Sequence, residues 1–200
     1  MNKIQHPHVD TREHLLATGE SLSLHLGFNG MGLSQLLTTA GIPKGSFYHY
    51  FRSKEAFGEA MLQRYFDRYD AAMVNLLTGS QGDKRHQLLQ YFAQSIANYC
   101  GSECHNACLS VKLSAEVSDL SEPMRHALDA GTARVIGRLQ DAIEAGIKEG
   151  SLRITLSAAA TAETLYTLWQ GAALRAKVKR SVTPLTCALE SIELMLQPTQ

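Results

Sequence analysis

Residues 33 to 51, LSQLLTTAGIPKGSFYHYF, leave the chain few ways to fold. Leu33, Leu36, Leu37 and Ala40 recur at the three- and four-residue spacing of one helix face, which predicts a short helix. Gly41 is suited to end it, and Pro43, with its fixed φ and missing N–H, suits the first position of a second short helix over Lys44 to Phe51. Upstream, Asp10 and Glu13 read as a capping box opening a helix whose Leu15, Leu16, Gly19, Leu22 and Leu26 share a stripe until Gly27. Downstream, Ser53 caps a fourth helix that starts KEAFGEAMLQRYF, with Glu55 in its first turn.

Two short helices joined by a glycine turn and crossed by a third form a helix-turn-helix, an arrangement that sets its second helix in the DNA major groove. The charge pattern agrees with that use. From Ser21 to Lys54 there is no Asp or Glu, whereas His25, Lys44, His49, Arg52 and Lys54 fall inside the span. Acids facing phosphates would be repelled and lysines would neutralise them, so the local pattern outweighs the formal net charge of zero. Residues 47 to 51 hold two of the six Phe and two of the seven Tyr. Phe47 and Phe51, four apart, are expected to face inward as core, with Tyr48 and His49 outward and Tyr50 between the two. Gly45 and Ser46 are small enough for close approach to a groove, where Ser46 can bond a base edge or phosphate. With Gly32 and Ser34 at the start of the preceding helix, the candidate DNA-contacting set is Gly32, Ser34, Lys44, Gly45, Ser46, Tyr48, His49 and Lys54. A plain aromatic packing face would explain Phe47 and Phe51, but not the convergence of the polar residues.

GLSQLLTTAGIPKGSFYHYFRSKEAF, residues 32 to 57, resembles the signature of the TetR family of transcriptional repressors. The resemblance extends to DTREHLLATGE (10–20), GFNGMGLSQLL (27–37), CLSVKLSAEVSDLSE (108–122) and LYTLWQGAALRAKVKRS (165–181), which are similar to members of that family that respond to electrophiles and oxidants. It implies an all-α chain, with a helix-turn-helix DNA-binding domain over 1–55 and a helical sensor and dimerisation domain over 56–200. It further implies a homodimer reading a palindromic double-stranded operator with half-sites about one helical turn apart, and a phosphate contact from Lys54.

Cys100, Cys104 and Cys108 are four apart and share a face if one helix runs through them, a continuity that Gly101 opposes. Their residue types alone leave three uses open: small buried hydrophobes, a zinc site with His105, or redox-active thiols. Lys112, one turn after Cys108, is placed to support a thiolate. The family resemblance selects Cys108 as the sensing thiol and Lys177 as its amine partner, capable of a reversible sulfur–nitrogen bond, with Cys100 and Cys104 as supporting thiols. The inducer it implies is a small electrophile or oxidant, with no cofactor and no metal.

The rest of the chain reads as helical, with breaks at 79–83, Gly101, 121–123, Gly150 and Pro184, and no segment alternates like a strand. Ala158, Ala159, Ala160, Ala162, Ala172 and Ala173, with Leu165, Leu168 and Trp169, make a wide apolar surface over 157–178, expected to join a four-helix bundle with a second copy. No apolar run reaches the roughly 20 residues of a membrane span and the N-terminus has no signal-peptide run, so the chain is expected in the cytoplasm. GxSxG, HExxH and phosphate-loop patterns are absent, and GFNGMG lacks the GxGxxG order. The reading is therefore not an enzyme but a repressor released by modification of Cys108. Its alternatives are a repressor induced by a noncovalent ligand and, further off, a cysteine-dependent enzyme.

Overall fold

The computed structural model describes residues 11–79, 82–101 and 109–199, the side chains of 100 and 101 excepted. Asp10, Cys104 and Cys108, and the side chain of Cys100, lie outside the described residues. The elements are α1 (Thr11–Leu26), α2 (Leu33–Ala40), α3 (Lys44–Tyr50), α4 (Lys54–Leu77), α5 (Lys84–Gly101), α6 (Leu109–Val117), α7 (Glu122–Glu149), β1 (Leu152–Arg153), α8 (Ala158–Lys179), α9 (Thr183–Met195) and β2 (Gln197–Pro198). Among the described residues the fold is all-α apart from the two short strands. The chain divides into one unit of residues 1–65 and 112–128 and another of 66–111 and 129–200, with the boundaries falling inside α4, α6 and α7.

In the first unit, α1 buries Leu15, Leu16, Gly19 and Ser23 along one face. Gly41, at φ 67°, ends α2, and the N–H groups of Gly41 and Ile42 bond the carbonyls of Thr38 and Leu37. Pro43 takes the cap position of α3 rather than its first turn, and Phe51, extended at φ −134°, stands just past its end. Ser53 caps α4, accepting from the Ala56 N–H at 3.0 Å. Phe47, Phe51 and Phe57 are buried together, with ring centroids 5.1 to 5.6 Å apart. A Cβ on Gly19 would stand 2.3 Å from the Phe57 ring. The glycine costs α1 about 1 kcal/mol of helix propensity and admits that ring against its backbone.

The second unit is built on α5, α7, α8 and α9. Gly131 of α7 lies against Phe66, where a Cβ would meet the ring at 2.1 Å. Tyr99, Ala172, Ala173, Ala176, Leu185 and Ala188 form a cluster with Trp169 and Leu168 packed on it, so three alanines in the second half of α8 serve close helix approach within the chain, while Ala159 and Ala160 are exposed. Arg138 makes a two-pronged bond to Asp70 at 2.8 and 3.0 Å, holding that carboxyl below the usual carboxylate range.

Two further local expectations differ from what is found. The break assigned to Pro184 lies at residues 180–182, where Arg180 adopts the left-handed conformation, and Pro184 sits in the first turn of α9, where its missing N–H costs nothing. β1 and β2 pair antiparallel, Leu152 with Pro198 and Arg153 with Gln197, and two residues are too few to alternate visibly in sequence. Among the described residues, no helix is long and apolar enough to cross a membrane.

Arg64 of α4 bonds both Glu13 and Glu20 of α1, and the Arg64 and Glu20 side chains are only 14% and 13% exposed. Replacing Arg64 by Met removes the cation that the mostly buried Glu20 carboxylate bonds. The expected loss is about 2 kcal/mol, read as a lower urea midpoint with unchanged slope.

Candidate nucleic-acid interface

Burial of Phe47 decides which way α3 faces. With that ring fully enclosed and Phe51 beneath it, Tyr48, His49 and Tyr50 are left exposed on the opposite side, Tyr48 by 50% and Tyr50 by 37%. Lys44 and Gly45 are exposed in the first turn and Ser46 is half-buried. The Lys44 ammonium lies 6.0 Å from the Tyr48 ring centroid, and His49 packs edge-on to Tyr50 at 5.0 Å. On α2, Gly32 is the exposed cap residue and Ser34 is exposed in the first turn. Six of the eight expected residues, Gly32, Ser34, Lys44, Gly45, Tyr48 and His49, are thus exposed on or next to α2 and α3, and Ser46 is half-buried.

Gly45 is informative. Its φ lies outside the left-handed region, and a Cβ there would meet nothing within 4 Å. Neither backbone geometry nor packing requires a glycine, so the fold alone gives no reason to forgo the better helix former alanine.

Lys54, the eighth residue, is half-buried, its ammonium 4.8 Å from the Phe28 ring centroid. Burial pushes its pKa below the ordinary lysine value, while the Glu116 carboxylate nearby pulls it back up. Glu116 had no signal in the local sequence. It comes from α6, and its carboxylate accepts from the backbone N–H of Phe28 at 3.1 Å and of Asn29 at 2.5 Å, in the turn between α1 and α2. One helical turn before it, Lys112 donates to the Leu24 carbonyl near the end of α1 at 2.7 Å. The two side chains therefore grip the start of the helix-turn-helix by opposite charges: a cation on a C-terminal carbonyl and an anion on turn amides. Gly27, at φ 80°, makes room, since a Cβ would stand 2.7 Å from a Glu116 oxygen. The Lys112 ammonium is thus engaged with α1.

Of the residues expected to sense, Lys177 is half-buried in the last turn of α8, next to the fully buried Ala176. Cys187 is exposed on α9. Arg175, Lys179 and Arg180 are exposed at the C-terminal end of α8, where cations suit the helix dipole.

A helix-turn-helix with an outward second helix and cations on its rim, joined to a larger helical unit, defines a DNA-binding regulator. The family described as "Bacterial regulatory proteins, tetR family" matches residues 15–61, and "Tetracyclin repressor-like, C-terminal domain" matches 85–192. The chain belongs to the TetR family of transcriptional repressors. It is similar to the HTH-type transcriptional repressor NemR of Escherichia coli strain K12, 51% identical over 193 residues and 96% of each chain. It also resembles the repressor DhaR of Mycobacterium sp. strain GP1, 33% identical over 94% of this chain and 93% of that one. The crystal structure of E. coli NemR in its reduced form superposes with a TM-score of 0.92, covering 94% of this chain and 98% of that one.

Gly27→Ala tests the grip of Glu116 on the turn. It forces a side chain into positive φ and into the carboxylate at once, and the expected cost is about 2 kcal/mol, measured as a fall in the thermal midpoint.

Proposed function

We infer that this repressor leaves its operator when an oxidant or electrophile modifies Cys108. The observation that carries the reading is the position of α6. Its described residues start at Leu109, next in sequence to Cys108, and its Lys112 and Glu116 hold the entry to the helix-turn-helix. A change at the thiol is one residue from a helix whose other end fixes the reading head, and α6 passes along the chain from one unit into the other. Similarity over the whole length to a NemR protein whose structure is known in a reduced form supports a redox input.

The chemistry is short. Hypochlorite oxidises the Cys108 thiolate to a sulfenic acid, with chloride leaving, and the Lys177 amine then attacks sulfur and expels water to form a sulfur–nitrogen bond. An alkylating agent reaches the same thiolate by direct addition. Cys100 and Cys104 are supporting thiols in this scheme. Residues 1–55 serve as the DNA-reading domain and 56–200 as the sensor and dimerisation domain of a cytoplasmic homodimer. The dimer uses α8 and α9, where Thr167, Gly171, Leu174 and Val178 form an exposed stripe and Gly171 has open space over it. Two α3 helices then read a palindrome, with Gly45 bringing α3 close to the duplex. Gly32, Ser34, Lys44, Ser46, Tyr48, His49 and Lys54 supply phosphate and base contacts.

Gly45→Ala separates folding from reading. The expected outcome is a protein about 0.5 to 1 kcal/mol more stable to urea that binds operator about tenfold more weakly, as the added methyl meets DNA and not protein. A gain in both would remove Gly45 from the interface.

The reading itself is tested by fluorescence anisotropy on the chain's own upstream DNA, before and after brief hypochlorite or N-ethylmaleimide treatment, for wild type and Cys108→Ser. Treatment should weaken wild-type binding and spare the variant. Equal binding in all four cases would return Cys108 to a packing role.

A further inference from the structure

The exposed residues of α8 have a period. Ala160, Thr164, Thr167, Gly171, Leu174 and Val178 follow one another at alternating steps of four and three, the spacing of a seam between two helices. They lie away from the face on which α8 buries Ala162, Leu165, Ala172 and Ala176. Leu174 is 52% and Val178 67% exposed, apolar surface that α8 alone leaves in water. A Cβ on Gly171 would meet nothing within 4 Å, and the Thr164 hydroxyl donates to the Ala160 carbonyl of its own helix and needs no outside partner. Side chains this small let a second helix approach to about 8 Å.

Beside the seam, α7 and α8 border a groove of about 460 Å³ whose lining carries the carboxylates of Glu163 and Asp129 and no Lys or Arg. On the same wall Gln170 donates to the Ser110 hydroxyl of α6 at 3.2 Å. Among the described residues neither Glu163 nor Lys177 has an ion-pair partner within the chain. Each directly precedes a seam residue, Thr164 or Val178, so the two flank the seam on one side. They are two heptads apart, about 21 Å along the helix, and cannot meet within one chain. If two copies of α8 run antiparallel about a two-fold axis near residue 169, Gly171 faces the partner's Thr167, Leu174 the partner's Thr164 and Val178 the partner's Ala160. Glu163 then stands opposite the partner's Lys177. A parallel pair would set Glu163 against the partner's Leu168 and Lys177 against the partner's Val182, with no charge to meet.

We propose that a second copy closes the α8 seam in this antiparallel register, and that the partner subunit's Lys177 seats against Glu163 at the rim of the acidic groove, twice per dimer. Charge complementarity selects this occupant and this direction. The consequence concerns sensing. An ammonium bonded to a carboxylate is not a nucleophile, and Lys177 must lose its proton to solvent before its nitrogen can attack the Cys108 sulfenic acid and expel water. Each subunit's Glu163 therefore restrains the amine of the other. The pairing rests on the α8 and α9 dimer of the reading above, and the restraint rests also on Lys177 as the sensing amine.

Equilibrium sedimentation of the reduced full-length protein tests the pairing, with wild type, Glu163→Lys, Lys177→Glu, the double variant and Gly171→Leu. Wild type should be a dimer. Each single charge reversal sets like charges opposite each other twice and should weaken the dimer about tenfold or more, and the double variant should return to within about threefold of wild type. Only a contact between copies gives that rescue. Gly171→Leu should keep the wild-type circular-dichroism spectrum, since its side chain meets nothing within the chain, and should lose the dimer. A monomeric wild type, or a Gly171→Leu dimer as tight as wild type, overturns the seam. Single reversals without effect, or a double variant no tighter than the singles, overturn the pairing. The restraint is read separately, as the rate at which hypochlorite-treated protein gains the sulfur–nitrogen bond by intact mass, at concentrations where the dimer is full. Glu163→Gln should speed it about threefold or more. An equal rate overturns the restraint and leaves the Cys108 reading standing. No sulfur–nitrogen bond in wild type sinks the Cys108 and Lys177 chemistry, and the restraint with it, while sedimentation still decides the seam.

Discussion

The enclosure of Phe47 is the constraint on which the DNA-facing part of the molecule depends. A seven-residue helix has little stability of its own, so α3 exists because one ring is driven out of water against Phe51 and Phe57. That burial fixes the rotation of α3 about its axis. Lys44, Tyr48, His49 and Tyr50 are then exposed, with Ser46 half-buried. Gly19 belongs to the same constraint, since α1 reaches the ring cluster only because it has no side chain there.

The second determinant is electrostatic. Turn amides and the last carbonyls of a helix need partners, and at the junction of α1 and α2 two side chains of α6 supply them. An anion placed there also lies near Lys54, so one carboxylate stabilises the turn and sets the charge environment of a candidate phosphate contact. The span from Ser21 to Lys54 is free of acid in sequence but not in space. The exception is held away from the exposed face of α3 by its bonds to the backbone of Phe28 and Asn29.

The first four helices were legible because their punctuation is local. Gly41 in the left-handed region, Ser53 at a cap and the four-residue spacing of Phe47 and Phe51 act within a few residues of themselves. Where the structure departs, the cause is distance or brevity. Glu116 and Phe28 are separated by 88 residues, and nothing in the pattern around either announces the other. The two-residue strands have no periodicity to read, and Pro184 marks the start of a helix as easily as the gap before it.

The central claim is that the state of Cys108 reaches the reading head through the hold of α6 on the α1–α2 turn. Hydrogen exchange at the Phe28 and Asn29 amides addresses it most directly, because those two N–H groups are the ones Glu116 protects. The account predicts that hypochlorite treatment speeds their exchange about tenfold or more in wild type and leaves it unchanged in Cys108→Ser, while the Phe57 amide in α4 stays protected in both. Exchange at Phe28 and Asn29 that is the same before and after oxidation, in a protein that has nonetheless lost operator affinity, would contradict it.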